Sequence, residues 1–266
     1  MLTLVVIWVG LTVWSRYTKT PFPTDDQCSA TVENHVTSID PEQARNASII
    51  AGVAAVRQLP PRAVTIALAT VYQESGMRNL DYGHADSLGL FQQRPSQGWG
   101  STAEIMDPYY SSRAFYQALV KVPSWKTGDI NDVAQAVQRS GFPEAYRQHV
   151  PNARALASAL SGESPATFTC VVGKPKPADP VGLAKFLSRT LGDRVKVSVT
   201  EDGVSVVADN QRFAWSAAHL AIANGGPHGL SEVIVGASTW KRNKLTLADW
   251  QGEVTETRTV QLRFDS

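Results

Sequence analysis

Residues 67–95 read ALATVYQESGMRNLDYGHADSLGLFQQRP, an apolar helical pattern that stops at Gly76 and gives way to a Gly/Asp/His-rich loop. Pro60-Pro61 opens the pattern, and Val64, Ile66, Ala67, Leu68 and Val71 make it apolar nearly all round. That suits a central, buried helix from about Pro61 to Ser75. Ala67, Thr70, Val71 and Glu74 share one face, so the carboxylate of Glu74 emerges beside apolar wall. Desolvation there disfavours the charged form, which suits a general acid. By helix position alone, Glu74 reads more readily as a solvated C-terminal residue.

Outward from this helix the pattern stays helical. Asp40-Pro41-Glu42 supplies a cap, an N1 proline and a first-turn acid, followed by Ala44, Ile49, Ile50, Val53 and Val56. Further helical patterns fit about 109–122, 129–140 and 143–161, and no β-branched alternation interrupts 41–161. Composition changes after Lys174-Pro175-Lys176-Pro177, an extended linker. Beyond it, helices fit 180–191 and 212–224, and strands fit 195–199, 204–207, 232–236 and 258–264. The expected class is α+β, an all-α domain followed by a small α+β module. The expected divisions are an apolar signal or anchor segment at 1–15, a tether at 16–40, the helical domain at 41–172, the Pro-rich linker at 173–179 and the module at 180–266.

The chain has 266 residues, net charge +1, 43% hydrophobic and 18% charged residues. A near-neutral balance argues against nucleic-acid binding, which needs a concentrated Lys/Arg surface. Two cysteines are too few for a disulfide-built scaffold or a four-thiolate zinc site, and no cofactor is expected. Cys28 follows the tether and Cys170 precedes the linker, so a bond between them would staple the ends of one domain in an oxidising compartment. Two unpaired buried thiols are the alternative.

Met1 to Trp14 is an uncharged apolar run, short of the ~20 residues a spanning helix needs. It lacks a basic n-region and a small-residue cleavage site, and Arg16 and Lys19 after it would hold the body in the cytoplasm by the positive-inside rule. The missing n-region equally fits a start farther upstream. Export or anchoring through this segment, with an extracytoplasmic body, is the favoured expectation.

Glu74-Ser75, then Gly89-Leu90-Phe91-Gln92 beginning fifteen residues after the glutamate, with Pro95 beyond, resembles the soluble lytic transglycosylases and goose-type lysozymes. Their pattern is Glu-Ser, then Gly-Leu-Met-Gln-x-x-Pro at that separation. Glu-Ser-Gly before a Gly-rich loop also looks like the resuscitation-promoting factors, and the likeness covers roughly 41–161. The resemblance implies a lysozyme-like domain that cleaves the β-1,4 bond between N-acetylmuramic acid and N-acetylglucosamine in peptidoglycan glycan strands. Glu74 would be the catalytic acid. Ser75 would orient Glu74 or the sugar, Gln92 would bind the acetamido group, and Gly89 would let the backbone approach the sugar. Asp81 and Asp86 could serve as a second carboxylate, but they read more readily as loop caps.

The third family motif, Ala-Tyr-Asn-Ala-Gly-Pro, is altered here. Val137 stands at the tyrosine, Gln138 at the asparagine, and Tyr146 is the candidate for the missing hydroxyl. The substitution motivates a second expectation, a non-catalytic peptidoglycan-binding or scaffold protein. Trp99, Tyr109, Tyr110 and Trp125 are candidates for stacking on sugars, two of them expected to be ordinary core or rim aromatics.

The C-terminal module looks faintly like zinc carboxypeptidases that trim peptidoglycan stems. Its last strand reads Thr259-Val260-Gln261-Leu262-Arg263 without the metal-binding His-x-His, and His219 and His228 lack ligand spacing. A metal-less docking or wall-binding module, with an envelope protein as a possible partner, is the expectation.

Overall fold

Asp40 starts the first helix as its sequence demands, accepting from the backbone N–H of Gln43 while the Gln43 side chain bonds back to the Asp40 N–H. That helix, α1 (Pro41–Val56), precedes α2 (Pro61–Ser75), which ends where Gly76 turns left-handed at φ 60°. The computed structural model describes residues 26–265. The apolar segment 1–15 and the first part of the tether, 16–25, lie outside the described residues. Among the described residues, no helix is long and apolar enough to cross a membrane.

The remaining helices are α3 (Thr102–Ile105), α4 (Pro108–Leu119), α5 (Ile130–Gln138), α6 (Val150–Leu160), α7 (Pro180–Leu191) and α8 (Gln211–Ala223). Every side chain from Ala63 to Val71 is buried, because α1, α4, α5 and α6 surround α2. Together with two antiparallel sheets these helices give an α+β fold.

The first sheet corrects two expectations. Residues 27–39, expected as tether, form β1 (Gln27–Val32) and β2 (His35–Ile39), and β3 (Phe168–Val171) closes a sheet in the order β2-β1-β3. The unit expected to be all-α therefore carries a strand at its end. The physical reason is burial: in β2, Thr37 and Ile39 are buried while Val36 and Ser38 are exposed, and in β1, Cys28, Ser29 and Ala30 are all buried between the neighbouring strands. Cys28 lies directly opposite Cys170, and the two are disulfide-bonded.

The second sheet runs β4-β5-β8-β6-β7, with β4 (Val195–Thr200), β5 (Gly203–Ala208), β6 (Leu230–Val235), β7 (Ser238–Lys241) and β8 (Thr259–Phe264). β7 was not expected from the sequence, and the long helical pattern at 143–161 shortens to α6, preceded by a turn. Residues 173–179 carry no helix or strand, yet the chain on either side shares one hydrophobic core. Helices α7 and α8 pack on α1, and α8 also meets α6 and β3. Buried polar bonds reinforce the contact: Ser216 Oγ donates to the Leu160 carbonyl at 2.7 Å, and Trp250 Nε1 donates to the Phe168 carbonyl at 3.0 Å.

Gly52 makes one of the close approaches at this contact. A Cβ there would lie 2.2 Å from Thr190 Cγ2 and 2.6 Å from its carbonyl oxygen. Gly52→Ala is expected to destabilise the fold by about 1–3 kcal/mol by forcing α1 and α7 apart. Urea unfolding measures it, and an unchanged midpoint would show that the two helices yield freely.

His219 also sits at this contact, fully buried among Phe168, Trp215 and Trp250, with Nδ1 2.7 Å from the Ala159 carbonyl. Burial pulls its pKa down to about 4, so the folded state carries fewer protons than the unfolded chain between pH 6.5 and 4. Stability is then full above pH 6.5 and falls as pH drops toward 4, by about 3 kcal/mol in total. Unfolding free energies measured at pH 7 and pH 4.5 should differ less in His219→Leu than in the parent.

Candidate active site

Because α2 is buried along its length, only its last turn reaches the surface, and Glu74 is half-buried there. The carbonyls that a helix end leaves free are taken up by α1. Gln43 Nε2 donates to the Gly76 carbonyl at 2.9 Å and Asn46 Nδ2 to the Met77 carbonyl at 2.8 Å. The platform under Glu74 is fixed at both ends.

The loop that follows folds back beside this turn. Leu88 and Gln93 exchange backbone hydrogen bonds at 2.9 and 3.0 Å, closing a tight bend, and Leu90 and Phe91 at its tip are fully buried. Phe91 stacks on Phe115 at 4.5 Å. Ser75 Oγ donates to the Leu90 carbonyl at 2.7 Å, and Gln138 Nε2 donates to the Phe91 carbonyl at 2.8 Å. Ser75, expected to orient Glu74 or the sugar, and Gln138, at the motif's asparagine, thus stitch the bend to α2 and α5.

Three other expected ligands have structural partners. Asp86 accepts from Arg94 Nε at 2.6 Å and from the N–H and hydroxyl of Ser96, which holds its carboxyl far below the usual range. Gly89 has φ 73°, and a Cβ there would lie 2.8 Å from the Ile105 carbonyl oxygen, so the close approach that requires glycine is to α3. Gln92 is left-handed at φ 48°, and its Nε2 lies 3.2 and 3.3 Å from the carbonyls of Tyr82 and Gly89. Of the four aromatics, Tyr109 and Trp125 are buried, and Tyr109 bonds Thr190 Oγ1 at 2.7 Å.

Tyr146 reaches Glu74. It leaves the turn after α5, its ring is fully buried, and its hydroxyl donates to Glu74 Oε1 at 2.6 Å. Burial and the carboxylate together push the tyrosine pKa well up, so this hydroxyl keeps its proton and acts as a donor. Val137, which stands where the resembled motif has its tyrosine, is buried. The turn bearing Tyr146 is pinned by Asn131 Nδ2 to the Pro143 carbonyl at 2.9 Å, and by Arg147 to Glu144 and Asp129 at 2.9 and 3.1 Å.

No protein-family model and no curated protein matches this chain. The chemistry therefore follows from the residues in place. Two of these were not singled out from the sequence: Gln73, whose Oε1 lies 3.0 Å from His149 Nε2 and 3.4 Å from Gln148 Nε2, and His149, stacked on Tyr72. Their signal was position alone, one residue before Glu74 and three after Tyr146. In the C-terminal half, His219 and His228 lie in separate surroundings, His228 against Asp179 at 2.9 Å. Among the described residues, no group of three or more His, Cys, Asp or Glu could hold a metal ion.

Proposed function

We propose that this protein cleaves the β-1,4 bond between N-acetylmuramic acid and N-acetylglucosamine in peptidoglycan, as a lytic transglycosylase with Glu74 as its single acid and base. The observation that carries the reading is the 2.6 Å bond from a buried Tyr146 hydroxyl to a half-buried Glu74 at the end of an apolar helix. It supplies a hydroxyl to the glutamate although Val137 replaces the family's tyrosine, which favours catalysis over a non-catalytic binder. The engagement of Asp86 with Arg94 and Ser96 favours a mechanism without a second carboxylate.

In the first step Glu74 gives its proton to the glycosidic oxygen as the C1–O4 bond breaks. The carboxylate left behind takes the proton of the muramic C6 hydroxyl, and O6 closes on C1 to give a 1,6-anhydro ring. Tyr146 holds Oε1 throughout, so the other carboxylate oxygen handles the proton. The disulfide fits an oxidising compartment, and the protein acts on the wall from outside the cytoplasm, anchored or secreted. We read the C-terminal half as a wall-docking element.

The test is incubation of purified cell wall with the full chain and mass analysis of the released muropeptides. Anhydro-ended products support the reading. Reducing ends would make the enzyme a muramidase, and wall binding without new ends would leave a non-catalytic scaffold.

A further inference from the structure

Several carboxamides lie around the candidate site, and those beside the bend and the Tyr146 turn have their donors committed largely to backbone. Gln92 Nε2 serves the carbonyls of Tyr82 and Gly89, Gln138 Nε2 serves Phe91, and Gln148 Nε2 serves Ala145 at 3.3 Å as well as Gln73. Gln73 is the reverse. Its oxygen is the committed atom, facing His149 Nε2 at 3.0 Å and Gln148 Nε2 at 3.4 Å, while its Nε2 has no partner among the described residues. Gln148 can only donate through that nitrogen, so the shared acceptor is the Gln73 oxygen, and His149 contributes its Nε2–H tautomer.

The His149 ring is locked in turn, stacked on Tyr72 at 5.5 Å with its plane 4° from parallel. Burial holds it neutral. One short segment thus fixes two consecutive residues of the last turn of α2: Tyr146 holds Glu74, and Gln148 with His149 hold Gln73. The amide oxygen of Gln73 is turned into protein and its two N–H donors are left over on a half-buried side chain beside the acid.

We propose that Gln73 is a specificity residue of the glycan site, donating its free amide N–H to a carbonyl oxygen on the sugar, that of an N-acetyl group. The assignment rests on the glycan reading above and transfers to Gln73 the role that the sequence gave to Gln92. The acetamido carbonyl is the strong neutral acceptor on such a chain, and a fixed, pre-oriented amide donor discriminates it from a bare amine. Gln148 and His149 are positioning residues that select which end of the Gln73 amide faces the substrate.

The test uses the full chain carrying Glu74→Gln, so that cleavage is stopped, and calorimetric binding of two probes. One is a β-1,4-linked tetramer of N-acetylglucosamine, the other its de-N-acetylated counterpart. Adding Gln73→Met is expected to weaken the acetylated tetramer about tenfold while changing the deacetylated one less than about twofold. Gln73→Glu keeps oxygens for His149 and Gln148 but removes the donors, and should repeat the selective loss if Gln73→Met fails to fold. Equal weakening of both tetramers, no weakening, or no binding of either overturns the assignment. Wall cleavage by the parent with unselective Gln73 variants would sink Gln73 alone. Selective binding without any wall cleavage would sink the enzymatic reading and leave Gln73 in place.

Discussion

Glu74→Gln is expected to lower the release of anhydro-ended muropeptides by about a thousandfold, the middle of the range for loss of a positioned general acid. The amide keeps the oxygen that accepts from Tyr146, so the hydrogen bond at the end of α2 survives and thermal unfolding should stay within about 0.5 kcal/mol of the parent. That pairing of effects separates chemistry from folding. Tyr146→Phe makes the complementary case. It leaves the carboxyl group in place but removes its donor, and a loss of about tenfold is expected from one hydrogen bond to a charged group. Wall digestion assayed by mass, with unfolding measured on the same samples, checks both variants. Full activity in Glu74→Gln would remove the glutamate from the mechanism altogether.

Removing the disulfide is expected to have the largest effect on stability. The bond closes a sequence separation of 142 residues, and the chain-entropy model gives about 5 kcal/mol for a loop of that length. Total stabilities of about 5–15 kcal/mol are usual, so such a loss would consume a third or more of the margin. Cys28→Ala with Cys170→Ala is the suitable variant, because both positions are buried and a serine there would add an unpaired hydroxyl. Its urea midpoint should match that of the parent under reductant, both well below the oxidised parent. Coincident midpoints with and without reductant would mean that the bond adds nothing.

The limits of α2 were legible because chemistry punctuates them: Pro61 can start a helix and Gly76 can take the left-handed cap. The hairpin at 27–39 was not. Ser29 and Thr37 are buried within it and blur the alternation that marks a strand, and its second partner, β3, lies far along the chain. The four residues of α3 and the four of β7 are too few to carry a period. At the candidate site, the emergence of Glu74 at the end of a buried helix was readable from its helix face. Tyr146 was the candidate for its hydroxyl partner, but sequence could not place it, because Tyr146 follows Val137 by nine residues and only the course of the intervening turn brings it back. Gln92 stood where the resemblance placed an acetamido ligand, but a left-handed backbone folds its amide onto its own loop. Sequence spacing specifies a residue's neighbourhood, and backbone sign decides what its polar atoms meet.

The pairing of β1 with β3 also sets a timetable. A ribosome adding about 5–20 residues per second needs roughly seven to thirty seconds to pass from Cys28 to Cys170. Throughout that interval the β1–β2 hairpin can exist with one long edge open, and an open edge invites foreign strands. The cysteine it carries has no partner until nearly the whole helical bundle has been made. Oxidation can therefore come only after nearly all the helical segments have been synthesised, and the waiting hairpin is the stretch that most needs shelter while the rest of the chain arrives.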